Sequence, residues 1–383
     1  MTSTGTIRVL VVGAGAVGCF YASRLQPGSG VPAVEVSLVC RSNYRAIKER
    51  GVILRTRSFG NYTFVPKHVF ASVSDASKLF THLGFNQDLV YPRLKYRSSF
   101  GNYTFVPKHV FASVSDASKH KEIWDYIVVT TKALPDVSDD TEVIQPLVTI
   151  RKSAIVLIQN GVGVEEPYRK RFPENPILSA VTVISAEQVE PGVIVQNRWT
   201  RISIGPYTDG IGKDEKPEYN RLFVQLLKNG GVKDAEEYGE NDLQMVRWHK
   251  IAINASMNPS SVLSNGTGNA RMSKDPELRH HLRETMLEVF RAAEAVLGRP
   301  IPSHLAPADK ILVSTERNTG GKPSMLLDWE RGAAMELEVI LGNPIRLAKA
   351  KGVDMPRLQS MYALLKMAQT RRDEKKSNNK AKL

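Results

Sequence analysis

The sequence predicts an α/β protein: a doubly wound, mostly parallel sheet in the N-terminal part, followed by a second domain that is nearly all helical. Three observations support this prediction. An apolar, strand-like run that starts at Ile7 leads directly into the glycine pattern Gly13-x-Gly15-x-x-Gly18. Further apolar strands recur at parallel-sheet intervals, and the residues after Gly239 have a continuously helical pattern. At 383 residues the chain also exceeds the usual size of a single core, so we expect two domains.

The glycine pattern predicts a dinucleotide-binding loop of the Rossmann type. The first glycine permits a tight turn, the second lets the backbone approach a pyrophosphate, and the third lets the following helix pack closely on the strand. That helix is predicted over Ala16–Leu25, with its free N–H groups pointing at the phosphates. The alternative is a glycine-rich turn that binds nothing. The predicted cofactor-binding residues of the loop are Gly13, Ala14, Gly15, Ala16, Val17 and Gly18.

The remaining elements follow in order along the chain. The parallel strands are predicted at Val9–Val12, Val34–Val39, Tyr126–Thr130 and Ile155–Ile158. Three later strands are expected to be antiparallel: Ser179–Ser185, Gly192–Gln196 and Arg201–Ile204. A helix near Tyr219–Lys228 and a long helix capped by Asn241 or Asp242 precede helices at 276–297, 304–316, 323–341, 343–351 and 355–371. We therefore predict a cofactor domain at 1–239, a helical substrate domain at 240–371 and a basic disordered tail at 372–383.

One segment of the chain is duplicated letter for letter. Residues 58–78 recur as residues 99–119. Repeat proteins need at least three copies to bury a core, so two identical copies indicate a recent tandem duplication or an error in the gene model. We expect one copy to fill the native position before the strand at residue 126. The rest should be an insertion without a place in the core.

Charge and cysteine content narrow the function classes. The net charge of +13 comes from dispersed basic residues and from the C-terminal tail, which argues against a nucleic-acid partner and suits anionic small molecules. Cys19 and Cys40 give no disulfide framework and fit a reducing compartment. No apolar run reaches membrane-spanning length. We predict a cytoplasmic protein, with the peroxisome as the alternative because Ala381-Lys382-Leu383 resembles the peroxisomal address.

Polar residues at the ends of the predicted strands point to the cofactor. Arg41 and Ser42 follow the second strand, where an acidic residue would select NAD, so NADPH is the predicted cofactor. Lys132 and Asn160 follow the strands at 126 and 155, at the sheet edge where such folds bind ligands. Asn160 could instead belong to an ordinary Asn-Gly turn.

The helical half supplies candidate catalytic residues. Lys250, Asn254 and Asn258 are spaced by four, so they lie along one helix face. A lysine and two amides in line could serve a carbonyl substrate as a proton donor and two orienting groups. The alternative is a polar stripe on a surface helix. Further on, Ser324 could present a hydroxyl to a ligand or cap a helix, and Glu336 follows it.

In this order and at these intervals, the motifs resemble those of the ketopantoate reductase (2-dehydropantoate 2-reductase) family. The resemblance covers about residues 7 to 370, apart from the duplicated segment. The motifs that carry it are Gly13-x-Gly15-x-x-Gly18, Lys132-Ala133, Gln159-Asn160-Gly161, Lys250-x-x-x-Asn254-x-x-x-Asn258-Pro259, Ser324-Met325 and Glu336.

The resemblance implies a C-terminal domain like that of 6-phosphogluconate dehydrogenase and NADPH-dependent reduction of 2-dehydropantoate to (R)-pantoate. It also implies that Lys250 is the general acid, that Asn254, Asn258 and Ser324 bind substrate, and that Glu336 orders the site. Lys132 and Asn160 would contact the cofactor or the reacting region. The expected partner is a small-molecule 2-keto acid, with no nucleic acid, membrane or metal, and a homodimer is compatible with this reading. The alternatives are a reductase of another 2-keto acid or imine, or a non-catalytic NADP-binding paralogue.

Overall fold

The computed structural model describes residues 6–25, 33–64, 110–111, 113, 123–209, 217–319 and 322–380. The chain forms two compact units. The sheet unit comprises Met1–Thr131, Asp140–Gln159 and Pro167–Tyr238. The helical unit comprises Gly239–Leu383 together with two short loops from the N-terminal part, Lys132–Asp139 and Asn160–Glu166. Several motif residues from the first half of the sequence therefore belong to the helical unit.

The described part of the sheet unit contains one ten-stranded sheet. Its strand order is β4-β3-β9-β8-β7-β6-β1-β2-β5, and β10 pairs with β9. The strands are β1 (Ile7–Val12), β2 (Val34–Val39), β3 (Val52–Thr56), β4 (Gly60–Phe64), β5 (Val110–Phe111), β6 (Tyr126–Val129), β7 (Ala154–Leu157), β8 (Ile177–Glu190), β9 (Val193–Pro206) and β10 (Ala235–Glu237). β1 pairs in parallel with both β2 and β6, so it is an interior strand, as the buried Val/Leu pattern before the glycine loop predicts.

Helices pack on the sheet and complete the doubly wound architecture that the sequence predicts. The helices of the sheet unit are α1 (Ala16–Leu25), α2 (Tyr44–Arg50), α3 (Asp140–Ile144), α4 (Glu166–Arg171), which begins on the last residue of a helical-unit loop, and α5 (Pro217–Asn229). Apolar clusters cover both faces of the sheet, one built around Val9 and Val11 and the other around Leu10 and Val12. This alternation along β1 is what burial on both faces requires.

The antiparallel part differs in detail from the sequence prediction. β8 and β9 form one long antiparallel pair, so the predicted separate strands Gly192–Gln196 and Arg201–Ile204 are a single strand. Trp199 has a positive φ of 55°, and the pairing register shifts near Ser185. A bulge of this kind interrupts the apolar alternation without ending the strand. The hairpin of β3 and β4 was not predicted.

The helical unit is built around one long helix. Its elements are α6 (Glu240–Leu263), α7 (Asn269–Lys274), α8 (Pro276–Leu297), α9 (Ala308–Thr315), α10 (Ser324–Glu330), a π-helical segment (Glu338–Gly342), α11 (Asn343–Ala350) and α12 (Pro356–Lys380). α8, α10, α12 and the π-helical segment all pack against α6. The cap of α6 is Gly239 rather than Asn241 or Asp242, because the helix begins two or three residues earlier than predicted.

Two predictions in the C-terminal part are wrong. The helix predicted over 323–341 ends at Glu330, because Gly332 adopts a positive φ of 65° and turns the chain before the π-helical segment. The tail predicted to be disordered from residue 372 is helical to Lys380. Two of its basic side chains contact the turn after α10, since Arg372 donates to the Ala333 carbonyl at 2.8 Å and Lys376 to the Gly332 carbonyl at 2.5 Å. The tripeptide 381–383 lies outside the described residues.

The duplicated segment contributes described residues from both copies. β4 comes from the first copy and β5 from the second, and residues 65–109 between them lie outside the described part of the chain. The start of the first copy packs into the sheet unit, where the Tyr62 hydroxyl is 3.0 Å from Ser23 Oγ. The Arg24 guanidinium lies 4.4 Å from the centre of the Phe59 ring. One copy of this sequence therefore has a structural place beside α1.

We expect deletion of residues 58–98 to leave a chain that folds at least as well as the full protein. The deletion joins Arg57 to Ser99 and retains one complete copy of the repeat, so Phe100 and Tyr103 replace Phe59 and Tyr62 with no change in local sequence. Ordering a long excursion that lacks a core only costs conformational entropy. Thermal unfolding and dinucleotide titration of both chains measure this. An insoluble variant, or one that no longer binds the dinucleotide, would mean that the duplication is structural.

Candidate active site

The glycine loop after β1 has the geometry that a pyrophosphate site needs. Gly13 adopts a φ of +106°, and a Cβ atom there would lie 2.9 Å from both Thr130 Oγ1 and the Thr131 nitrogen. A Cβ atom on Gly18 would collide with the Gly13 carbonyl oxygen, which fixes the close approach of α1. A Cβ atom on Gly15 would meet nothing within 4 Å, so the backbone is open on that side. The described residues thus fit a dinucleotide phosphate at the start of α1.

The end of β2 lies beside this loop. Arg41 and Ser42 are exposed, whereas Asn43 is buried and donates from Nδ2 to the Ala14 carbonyl at 2.5 Å. The same amide group donates to Gln188 at 3.0 Å, so Asn43 ties the glycine loop to β8. Sequence reasoning assigned no role to Asn43, although a polar residue directly after Arg41-Ser42 was a usable signal.

In the helical unit, Lys250 lies in a short chain of polar contacts. Its Nζ donates to Asn160 Oδ1 at 2.7 Å, and the Asn160 side chain is in turn hydrogen-bonded to Glu336. Glu336 Oε1 accepts the backbone N–H of Ala133 at 3.1 Å. The structure therefore brings together three residues that the sequence placed far apart, Lys250 on α6, Asn160 in a loop and Glu336 before the π-helical segment.

Burial changes the acidity of both ionisable groups in this chain of contacts. Burial, and to a lesser degree the Arg247 guanidinium, lower the pKa of Lys250 to about 8, while the Glu336 carboxylate opposes the decrease. Burial raises the pKa of Glu336, while Lys132 and the hydrogen bonds from Ala133 and Asn160 oppose that rise. An ammonium whose pKa lies near neutrality is suited to donate a proton, because both of its protonation states are accessible.

Lys132 makes an ion pair with Asp328, which is buried on α10. Burial raises the pKa of Asp328 and the lysine opposes the rise. Asp328 lies four residues after Ser324, so both residues lie on one face of α10. Asp328 was missed at the sequence level, although its spacing from Ser324 was visible in the sequence.

The other predicted substrate residues stand apart from this polar chain. Asn258 is buried and Asn254 is partly buried on α6, and neither side chain hydrogen-bonds to another described residue. Ser324 is exposed at the first position of α10 and does not cap it; Pro323 occupies the cap position. Their amide and hydroxyl groups therefore have unused hydrogen-bonding capacity within the described structure.

A buried ion pair next to Lys250 had no sequence signal. Arg247 Nε lies 2.9 Å from Glu165 Oε1, and the two side chains are only 2 % and 1 % exposed. Arg247 Nη1 also donates to the Gly161 carbonyl at 2.9 Å. One charged residue on α6 and one in a loop 82 positions earlier show no shared pattern in the sequence.

Two other classes of feature are absent from the part of the chain that the structure describes. No described helix is long and apolar enough to cross a membrane. Within the described ranges, no three His, Cys, Asp or Glu side chains cluster in a way that could hold a metal ion.

Two family models match most of the chain. Residues 9–209 match the model described as ketopantoate reductase PanE/ApbA, and residues 242–369 match the model of its C-terminal domain. The chain belongs to the ketopantoate reductase family. This confirms the predicted family and fold class. The family consists of nicotinamide-dependent oxidoreductases that act on a small keto acid, so the chain is placed among oxidoreductases.

Individual relatives are distant but span almost the whole chain. An uncharacterised protein of Saccharomyces cerevisiae is 28% identical over 96% of this chain and 95% of its own length. A 2-dehydropantoate 2-reductase of Nostoc is 23% identical over 93% of each chain. Among solved structures, a 2-dehydropantoate 2-reductase from Methylococcus capsulatus superimposes with a TM-score of 0.71 at 28% identity, over 96% of this chain and 98% of that one. D-mandelate dehydrogenase shares the fold, with a TM-score of 0.66 at 18% identity over 96% and 99% of the two chains.

Proposed function

We propose that this chain is an NADPH-dependent reductase that converts 2-dehydropantoate to (R)-pantoate. The observation that carries the proposal is the contact of Lys250 with Asn160, backed by Glu336, in a setting that lowers the pKa of the lysine to about 8. Family membership supports the substrate class, a small 2-keto acid.

The cofactor would be held by the glycine loop and by the end of β2. A Cβ atom on Gly15 would meet nothing within 4 Å, so the backbone there is open to a pyrophosphate, and the exposed Arg41 suits a 2′-phosphate. Lys132 and Asn160 are proposed to contact the cofactor or the reacting region. When bound, the reduced nicotinamide supplies a hydride to the keto carbon of the substrate.

Lys250 is proposed as the general acid of the reduction. As the keto carbon is reduced, negative charge develops on its oxygen, and a positioned ammonium both stabilises that charge and donates the proton from Nζ. The contact with Asn160 fixes the direction of the ammonium, and the Asn160 side chain also interacts with Glu336. The proposed role of Glu336 is therefore to order the site.

Asn254, Asn258 and Ser324 are proposed to bind the substrate. The two asparagines follow Lys250 at successive turns of α6, and their side chains make no hydrogen bond to the described protein groups. Ser324 is exposed at the start of α10, which packs against α6. We propose residues 1–239 as the cofactor domain, 240–371 as the substrate domain and the cytoplasm as the compartment.

Two other functions remain as alternatives. One is reduction of another 2-keto acid or an imine, and the D-mandelate dehydrogenase fold match makes an aryl 2-keto acid the first to try. The other is a non-catalytic NADP-binding paralogue. Oxidation of NADPH by the purified protein against a panel of 2-keto acids separates the three. The proposal expects 2-dehydropantoate to have the highest kcat/KM; a different preferred acid or no turnover with any of them contradicts it.

NADPH is expected to bind more tightly than NADH, because Arg41 occupies the position where an acidic residue would select NADH. Arg41→Ala should weaken NADPH binding by about 1–3 kcal/mol, the range for a charged group that loses its hydrogen-bonded partner. NADH binding should be unchanged. Fluorescence titration of both dinucleotides measures this, with Arg45→Ala as a control because Arg45 is exposed on α2 and pairs with Glu49. Equal affinities for the two dinucleotides in the unmodified protein would refute the assignment.

A further inference from the structure

The buried pair of Glu165 and Arg247 lies one helical turn from the proposed general acid. Arg247 precedes Lys250 by three residues on α6, so the two side chains leave the helix on neighbouring positions. Glu165 Oε1 forms an ion pair with Arg247 Nε at 2.9 Å and accepts a hydrogen bond from the Gln244 amide at 3.0 Å. The carboxylate is thus fixed by two successive positions of the same helix face.

Arg247 and Lys250 hold adjacent residues of the same loop. Arg247 Nη1 donates to the carbonyl of Gly161, and Lys250 Nζ donates to the side chain of Asn160. The loop is also held from the other side, since the Val162 nitrogen donates to the Val339 carbonyl at 2.9 Å. Gly161 itself adopts a φ of +105°, and a Cβ atom there would collide with the Val339 side chain. These contacts therefore restrict the backbone of this loop to a single conformation.

A buried ion pair is a poor device for stability alone. Removing two charges from water costs about as much as their attraction returns, so a well-packed apolar pair of the same size is often as stable. Here the pair does two things that apolar side chains cannot do. The guanidinium forks between a carboxylate and a backbone carbonyl, and it places a permanent positive charge beside an ammonium.

We propose that Glu165 and Arg247 are positioning residues for the reduction, an inference that rests on the proposed function. Arg247 fixes the Asn160 loop against Lys250. It also supplies a permanent positive charge one helical turn from Lys250. Glu165 holds the guanidinium in that place. The pair therefore acts through Lys250 and Asn160 and does not contact the substrate.

The charges around Lys250 determine the direction in which loss of the Arg247 charge changes the pKa of Lys250. Arg247 on its own helix disfavours the protonated lysine, and Glu336 favours it. Three other groups of charged side chains in the helical unit are paired with one another: Lys132 with Asp328, Glu288 with Arg357, and Glu338 with Arg346 and Lys366. Removal of the Arg247 charge should thus raise the pKa of Lys250.

The direct test is the pH dependence of Lys250 labelling by a trace of acetic anhydride, read by peptide mass spectrometry. This reports the protonation of the lysine without any turnover. Arg247→Gln should move the labelling midpoint upward by about one to two pH units, because a unit charge at an effective dielectric constant of about 20 contributes about two units at about 6 Å and about one unit at about 12 Å. Arg247→Lys keeps the charge and should leave the midpoint in place. Arg299→Gln is the matched control, because Arg299 forms an exposed ion pair with Asp242 at the start of the same helix.

Measurement of kcat then distinguishes the positioning role of Arg247 from the effect of its charge. Arg247→Lys cannot fork between Glu165 and Gly161, so kcat should fall roughly tenfold or more while the labelling midpoint is retained. If Arg247→Gln does not fold, the neutral double variant Glu165→Gln with Arg247→Gln removes the unpaired charge and should still show the upward shift. An unchanged midpoint in the folded variants overturns the inference. A shifted midpoint in a protein that reduces no keto acid would support the charge effect and refute the proposed function instead.

Discussion

Lys250→Ala is expected to lower kcat by about 10²–10⁴-fold, the usual contribution of general acid catalysis. The substitution removes the ammonium that stabilises charge on the substrate oxygen, and with it the proton that completes the reduction. Affinity for NADPH should change little, because the phosphates are assigned to the glycine loop and Arg41. Loss in kcat with an unchanged dinucleotide affinity is the signature of a group used in the transition state.

Steady-state kinetics beside dinucleotide titration decide this prediction. Lys310→Ala is a suitable control, because Lys310 is an exposed lysine on α9 of the same helical unit. Near-normal turnover of Lys250→Ala would remove the lysine as the acid. A collapse of NADPH binding would recast it as a cofactor-binding or structural residue, and an unfolded variant would assign it to stability through its bond to Asn160.

Local sequence patterns predicted those parts of the fold in which each element carries its own signal. β1 and the glycine loop form one continuous pattern, and the turn is specified by residues that are adjacent in the chain. The strands β6 and β7 are short apolar runs, and they were found for the same reason. The bulge near Trp199 and the turn at Gly332 depend on backbone angles that the apolar periodicity does not report.

The site was predictable only in part, because its contacts join distant parts of the chain. Lys250, Asn160 and Glu336 were named as candidates, but the hydrogen bonds that join them could not be derived from spacing. The α6 stripe was visible since residues four apart share a helix face. The pair of Glu165 and Arg247 was invisible, because each is one charged residue among many until the chain folds.

At the C-terminal end of the chain, the sequence predicted disorder where the structure has a helix. A run rich in lysine and polar residues reads as disordered, since it offers no apolar face to bury. In the structure the last helix continues because Arg372 and Lys376 donate hydrogen bonds to backbone carbonyls of the turn after α10. The Arg372 guanidinium also lies 4.8 Å from the centre of the Trp329 ring. These contacts with residues distant in the sequence thus stabilise a helix that has no apolar face to bury.

The second large effect that we expect is a decrease of kcat at alkaline pH. If Lys250 donates the proton, only its protonated form is active, so kcat should be constant well below the pKa and fall above it. The pKa of Lys250 is lowered to about 8 by burial and by Arg247, and the Glu336 carboxylate limits the decrease. Well above pH 8, kcat should therefore fall about tenfold for each further pH unit, and the total decrease between pH 8 and pH 10 should be about fiftyfold. An ordinary surface lysine would keep its activity to beyond pH 10.

The pH profile of Lys250→Ala provides the matched comparison. Its residual turnover should lack the alkaline decline, because the group that titrates is gone, whereas the profile of Lys310→Ala should coincide with that of the unmodified enzyme. Dinucleotide affinity measured across the same range separates loss of the acid from loss of the cofactor. A decline that persists in Lys250→Ala would assign the titration to another group. A profile that is flat to pH 10 in the unmodified enzyme would show that no acid with a lowered pKa limits the reaction, and the role of Lys250 would reduce to stabilising charge.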